Sequence, residues 1–288
     1  MLGLLIALIV ITSWGTRESG VEALFESKFL SADNLKNISR EIGIYGIFSI
    51  GVGIVIITAG IDLSVGSLMA LLGVVFLYFV TPPETRPDSF LAKVIPEIPW
   101  LVAVLFTLLI GTAIGVFQGL LVGKLKLQAF IVTLCGLLSY RGLARFSADD
   151  TSINISDSSQ NLEFLRFLGE GSLSDVLSNG NGSGFLHSIP MSFIYLVCFA
   201  IFFGVLLHKS VFGRYIFAAG RNELATKYSG INTNIVIACA YVIAGFCTAF
   251  AAIPFCIYTG SVQPATHGAF FELYACLLYT SPSPRDCQ

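Results

Sequence analysis

The apolar residues of this chain are gathered into long unbroken runs, and each run predicts one or two buried helices rather than amphipathic surface helices or alternating strands. A first run spans Leu2 to Trp14. It is short for a membrane span, and it lacks the basic start and small-residue cleavage site of a signal peptide. A polar connector, Gly15 to Arg40, follows, with acids and bases that cancel. Ile42 to Val80 is then apolar for nearly its whole length and interrupted by a single charge, Asp62, which predicts two spans meeting near that residue. Thr81 to Glu97 is a proline-rich loop. Further spans are predicted at Trp100 to Val122, Leu127 to Leu143, Ile189 to Leu207 and Asn234 to Tyr258, with one more apolar piece at Phe270 to Leu278.

The charges between the runs orient them. The connector His208 to Thr233 carries Lys209, Arg214, Arg221 and Lys227 against Glu223, and the turn at Lys124 and Lys126 is also basic, so both are expected on the cytoplasmic side. The loop Ser147 to Ser188 holds Asp149, Asp150, Asp157, Glu163, Glu170 and Asp175 against Arg166, and is expected outside. Alternation works only if the chain turns on the inner side near Asp62. Arg141 and Arg145 then fall at an outer helix end, where they are expected to snorkel to headgroups.

Composition agrees. Hydrophobic residues make up 55% of the chain and charged residues 12%, with a mean hydropathy of +0.81, against roughly 25% charged residues in a soluble domain. A soluble enzyme is excluded, and so is nucleic acid as a partner, because no Lys/Arg run of nucleic-acid type exists and the net charge is −2. Membrane lipid is the expected surrounding. The seven cysteines show no CxxC spacing, and His187, His208 and His267 lie in separate segments, so neither a metal nor another cofactor is expected. The nearest approach to a phosphate loop, GLLVGKL at Gly119 to Leu125, lacks the spacing and the hydroxyl residue of that motif. If ATP powers this protein, another chain must hydrolyse it.

The sharpest local feature is GIDLSVGS, Gly60 to Ser67. A carboxylate inside an apolar stretch costs about 2.5 to 3.5 kcal/mol on insertion scales unless it is paired or solvated. Gly60 and Gly66 permit a break, and Asp62 with Ser64 and Ser67 suits a helix N-cap whose side chain takes freed backbone N–H groups. Capping alone, or a polar element lining a path, satisfies these residues equally.

With its flanks, IITAGIDLSVGS resembles the signature of bacterial ABC permeases that import ribose, xylose, arabinose and related monosaccharides. The resemblance continues in order through FLSADNLKNISREIGIYGI (Phe29 to Ile47), GVFQGLLVGKLKLQAFIVTL (Gly115 to Leu134), SYRGLA (Ser139 to Ala144), GRYIFAAGRNELATKYSGIN (Gly213 to Asn232) and SVQPATHGAFFELYA (Ser261 to Ala275). Two departures stand out. Gln118 occupies a position where the family commonly has Asn, and Gln128 and Ala129 replace a proline-rich lead-in.

The resemblance implies an all-α polytopic membrane bundle of the type II ABC importer permease fold, in the bacterial inner membrane. It implies alternating access, with Asp62, Ser64 and Gln118 on the substrate pathway. The partners it implies are a cytoplasmic ABC ATPase subunit, a periplasmic sugar-binding protein and a second permease copy forming a homodimer. ELATKYSG, Glu223 to Gly230, resembles the family's ATPase-docking helix, so Glu223, Ala225 and Gly230 are expected to couple ATP hydrolysis to transport. A rival reading is an ion-coupled secondary transporter using Asp62, although no counterpart break exists in the second half. Residues 1–276 are expected to form the permease domain. The segment 277–288, LLYTSPSPRDCQ, reads as an atypical polar tail where the family continues with further spans, and the expectation is a C-terminally truncated permease.

Overall fold

The computed structural model describes residues 31–86, 95–155, 162–172 and 189–269. The expected first helix (Leu2 to Trp14), the apolar piece Phe270 to Leu278 and the tail lie outside the described residues.

Helix α1 runs Ala32–Ile57 and α2 Val65–Val80, separated by an extended break from Gly60 to Ser64. Helix α3 (Trp100–Gly119) continues through a π turn at Leu120–Lys124. Then come α4 (Ala129–Ser147), strand β1 (Ile153–Asn154), α5 (Leu162–Glu170), α6 (Met191–Lys209), α7 (Val211–Arg221), α8 (Glu223–Tyr228), α9 (Thr233–Thr259) and strand β2 (Ser261–Val262). Five of these helices are long and apolar enough to cross a membrane, and α2 is a shorter apolar helix. The spans expected from the apolar runs between Ile42 and Tyr258 are present within a few residues of their expected ends, with one exception.

Helix α1 begins at Ala32, inside the stretch expected to be a connector, because the Ser31 hydroxyl accepts the Asn34 N–H at 3.3 Å and Asp33 sits in the first turn. Capping starts this helix well before its apolar face begins at Ile42. The guanidinium of Arg40 holds that polar extension in place. It donates to the Glu170 carbonyl of α5 at 3.0 Å and lies 4.7 Å over the Tyr258 ring of α9.

Helices α2 and α9 form the centre. Nearly every residue of α2 is buried, as suits a helix apolar on all faces. Helix α3 packs along α9 through glycines one turn apart. A Cβ at Gly111, Gly115, Gly119 or Gly123 would strike Ala249, the Tyr241 carbonyl, Ala238 or the Asn234 carbonyl respectively. Such small-residue seams let membrane helices approach closely where no hydrophobic force drives them together. Helices α3, α4 and α6 turn bulky apolar side chains outward, among them Leu109, Leu138 and Ile201.

The two ends of the bundle differ in kind. At one end the Tyr78 hydroxyl donates to the Ser147 carbonyl at 2.6 Å, and β1 pairs with β2 in the register Ile153 opposite Val262. At the other lie the α1–α2 break, the basic turn at Lys124–Lys126 and helices α7 and α8.

Candidate functional site

The break between α1 and α2 is built by two local devices. Helix α1 ends in a pair of backbone bonds, Ala59 N–H to Ile56 carbonyl at 2.9 Å and Gly60 N–H to Val55 carbonyl at 3.0 Å. This is a Schellman ending, and it places Ala59 in the left-handed region at φ 59°. Beyond it, Oδ1 of Asp62 accepts the Ser64 backbone N–H at 3.0 Å and the Ser64 hydroxyl at 2.8 Å. The cap expected at Asp62 is therefore displaced: Ser64 is the N-cap position of α2, and Asp62 supplies the side-chain oxygen from two residues earlier. Ser67 takes no part in the carboxylate's shell and donates instead to the Ser64 carbonyl at 2.7 Å.

Gln118 of α3 completes the junction. Its Nε2 donates to the Ser64 hydroxyl at 2.7 Å, so the three expected pathway residues form one chain of hydrogen bonds. Asp62, Ser64 and Gln118 are 2%, 0% and 2% exposed. The Tyr241 hydroxyl of α9 donates to the Ile61 carbonyl at 3.0 Å, and Tyr140 of α4 faces the Gln118 amide. A Cβ at Gly136 would meet both Gln118 and Ser64, so α4 makes room for the junction there. Tyr140 falls in the SYRGLA block, whereas Tyr241 and Gly136 carry no sequence signal that separates them from packing residues.

Toward the basic end, a cleft of about 320 Å³ opens between Thr58, Gly60, Lys126, Arg221 and Glu223. Asn222 caps α8 by accepting the Ala225 N–H at 3.0 Å, which orders a helix of only six residues. Glu223, at the first helical position, accepts from Lys126 Nζ at 2.5 Å and from the Thr233 hydroxyl at 3.3 Å. The bond from Lys126 holds its carboxyl below the usual range. Helix α8 ends in a second Schellman pair, Gly230 N–H to Lys227 carbonyl at 3.1 Å and Ile231 N–H to Thr226 carbonyl at 3.4 Å, with Gly230 at φ 85°. Of the residues expected to couple, Glu223 is engaged inward and Ala225 and Gly230 stay on the exposed surface, beside Leu224 and Tyr228, the latter 89% exposed. A Cβ on Gly220 would collide with the Ile57 carbonyl, so α7 sits directly on the end of α1.

The two arginines expected at an outer helix end both bond protein groups. Arg141 donates to the carbonyls of Pro264 and His267 at 3.0 and 2.5 Å. Arg145 forms a two-pronged pair with Asp150 at 2.8 and 2.6 Å, and its guanidinium holds that carboxyl below the usual range.

An apolar multi-helix bundle with a buried polar junction and a capped, exposed helix at its basic end is the architecture of a multi-pass membrane protein. The comparisons give the family. The model described as branched-chain amino acid transport system / permease component matches residues 34–278, and the chain belongs to that family, in the inner membrane. The ribose import permease of Haemophilus influenzae is 32% identical over 256 residues, 88% of this chain and 70% of that protein. That of Escherichia coli K12 is 32% identical over 271 residues, covering 94% and 73%. The fructose import permease of Bifidobacterium longum is 30% identical over 267 residues, covering 92% and 64%. No solved structure matches the chain.

Proposed function

We propose that this chain is the membrane-spanning subunit of an ABC importer for a monosaccharide, with ribose the first candidate. In this reading it works as a homodimer in lipid, receives sugar from a periplasmic binding protein and is driven through alternating access by a separate cytoplasmic ATPase. The observation that carries the reading is the pairing of α8 with the bundle. A short capped helix, exposed on its outer face, is tied by Glu223 to Lys126 on the α3–α4 turn and adjoins α7, which rests on the end of α1. Both attachments lie next to elements that build the Asp62–Ser64–Gln118 junction, so a push on α8 has a direct route to that junction. The basic residues around α7 and α8 favour the cytoplasm for this end.

The similarity to ribose and fructose import permeases supports the sugar class. The test is uptake of labelled ribose, and of fructose as comparison, into proteoliposomes holding the chain with its ATPase and binding protein. Uptake should require ATP and binding protein and ignore imposed proton or sodium gradients. Uptake driven by an ion gradient without ATP would overturn the reading.

A further inference from the structure

After Gly260 ends α9 in the left-handed conformation, the chain does not stay at the outer end of the bundle. Val262 packs against Gly73 in the middle of α2, and Gly268 against the carbonyl of Gly66 in its first turn, so closely that a Cβ at Gly268 would collide with it. Residues Gln263 to Gly268 are turns and not a helix. They re-enter the bundle down to the level of the polar junction. Non-helical backbone at this depth is tolerated only where protein groups satisfy it or where it borders a polar cavity. Arg141 supplies the first condition, donating to the Pro264 and His267 carbonyls from α4, one position beyond Tyr140 at the junction.

The side chain of His267 points to the second. Its Nδ1 accepts the Gln263 backbone N–H at 3.0 Å, which puts the ring proton of the neutral imidazole on Nε2. That Nε2 is buried and has no hydrogen-bond partner among the described residues. A buried donor left unmade is costly, and such groups in native proteins call for an explanation. Thr266 and Gln263, bonded to each other at 2.9 Å, are exposed beside it. The segment therefore offers hydrogen bonds without an acid, and Arg141, the cation that touches it, already serves two carbonyls. That chemistry suits a neutral, hydroxyl-rich solute.

We propose that Gln263–Gly268 is a re-entrant segment lining the solute path, and that His267 Nε2 is a donor to a hydroxyl oxygen of the passing solute. The identity of the solute as a sugar rests on the function proposed above. In the conformation described the donor is sealed, and it becomes reachable when the bundle opens at this level.

Two variants in proteoliposomes with the ATPase and binding protein test this. Thr266→Cys, read as labelling above the wild-type background by a charged, membrane-impermeant methanethiosulfonate, should react, and saturating ribose should slow the reaction several-fold. His267→Phe keeps a ring and removes the donor, and should cut ribose uptake by about tenfold with ATPase activity retained, the scale of one lost hydrogen bond. His267→Gln, which keeps an N–H donor, should restore much of it. No labelling of the Thr266→Cys variant above background in any nucleotide state overturns the path assignment, and labelling that ribose leaves unchanged overturns it as a solute path. Normal uptake by His267→Phe overturns the role of Nε2. If His267→Phe fails to fold, the labelling of the Thr266→Cys variant decides. If the wild type moves no sugar, the proposed function fails, and aqueous labelling of the thiol introduced at Thr266 still decides whether the segment borders a water-filled path.

Discussion

Lys126 and Glu223, 97 residues apart in sequence, meet at 2.5 Å and join the α3–α4 turn to the first residue of α8. Both side chains are nearly half exposed, so the pair adds at most about 1 kcal/mol to folding. Its value lies in position: α3 leads from this turn to Gln118, and α8 leads outward to the exposed face.

Charge removal at either end should therefore spare folding and impair coupling. Lys126→Ala and Glu223→Gln are expected to insert and express normally while ATP turnover per sugar rises, and the exchange Lys126→Glu with Glu223→Lys should recover part of the loss. The pH behaviour follows from the lowered pKa of Glu223. A carboxyl depressed in the folded state contributes above its unfolded pKa and loses that contribution as pH falls through the folded value. The small stability gap between wild type and Glu223→Gln should thus hold from neutral pH down to the ordinary glutamate range, shrink as pH falls through it, and close only below the folded value. Thermal unfolding in detergent across pH checks this; a gap that closes near pH 6 would refute it.

The two Schellman endings make a matched pair of predictions. At Gly230 the position is left-handed and no atom lies within 4 Å of an added Cβ, so Gly230→Val is a backbone effect alone, roughly 1–2 kcal/mol. It should leave insertion intact and uncouple ATPase activity from uptake by distorting the end of α8. At Ala59 the same conformation is held by a residue with a Cβ, and Ala59→Gly should relieve that cost and raise stability by up to about 1 kcal/mol. Melting curves of both variants against wild type give the signs directly.

These endings also show what can be read from the chain. Gly230 is legible, because glycine just past a short capped helix is the common stop, whereas Ala59 hides the same geometry behind an ordinary helix former. The spans are legible because a bilayer demands length and apolarity together. The start of α1 at Ala32 is not, since its first turns are polar and only the Ser31 cap marks them. Asp62, Ser64 and Gln118 can be picked out as polar groups at membrane depth. That they form one hydrogen-bonded chain, framed by Tyr140 and Tyr241, depends on how α2, α3, α4 and α9 pack. Arg141 misleads for the same reason: its partners are carbonyls 123 and 126 residues away.

The glycine seam between α3 and α9 should tolerate nothing larger than alanine, and at its tightest points not even that. At Gly115 an added Cβ would stand 2.6 Å from the Tyr241 carbonyl, and Tyr241 in turn holds Ile61 at the break. Gly115→Leu is expected to force the helices apart and lower stability by about 3 kcal/mol or more, seen as loss of monodisperse protein. Gly142, where an added Cβ meets nothing within 4 Å, is the control and should accept alanine without loss.

The sharpest prediction concerns the carboxylate at the break. Asp62 Oδ1 takes two bonds from Ser64, and the Ser64 hydroxyl accepts in turn from Gln118. Asn at position 62 keeps that oxygen, so Asp62→Asn should insert, fold and retain most uptake. Leu removes it and leaves a buried Ser64 N–H without a partner, a loss of about 1–3 kcal/mol that the apolar surroundings cannot make good. Ser64→Ala tests the next link, since it deletes both the second bond to Asp62 and the acceptor for Gln118 while leaving the backbone N–H of that residue in place. The expected order of stability is therefore wild type, then Asp62→Asn, then Ser64→Ala, with Asp62→Leu lowest, measured by thermal unfolding of the purified variants. If Asp62→Asn folds as well as wild type and yet abolishes uptake, the negative charge itself acts in transport, and hydrogen bonding by Oδ1 is not a sufficient account of this residue.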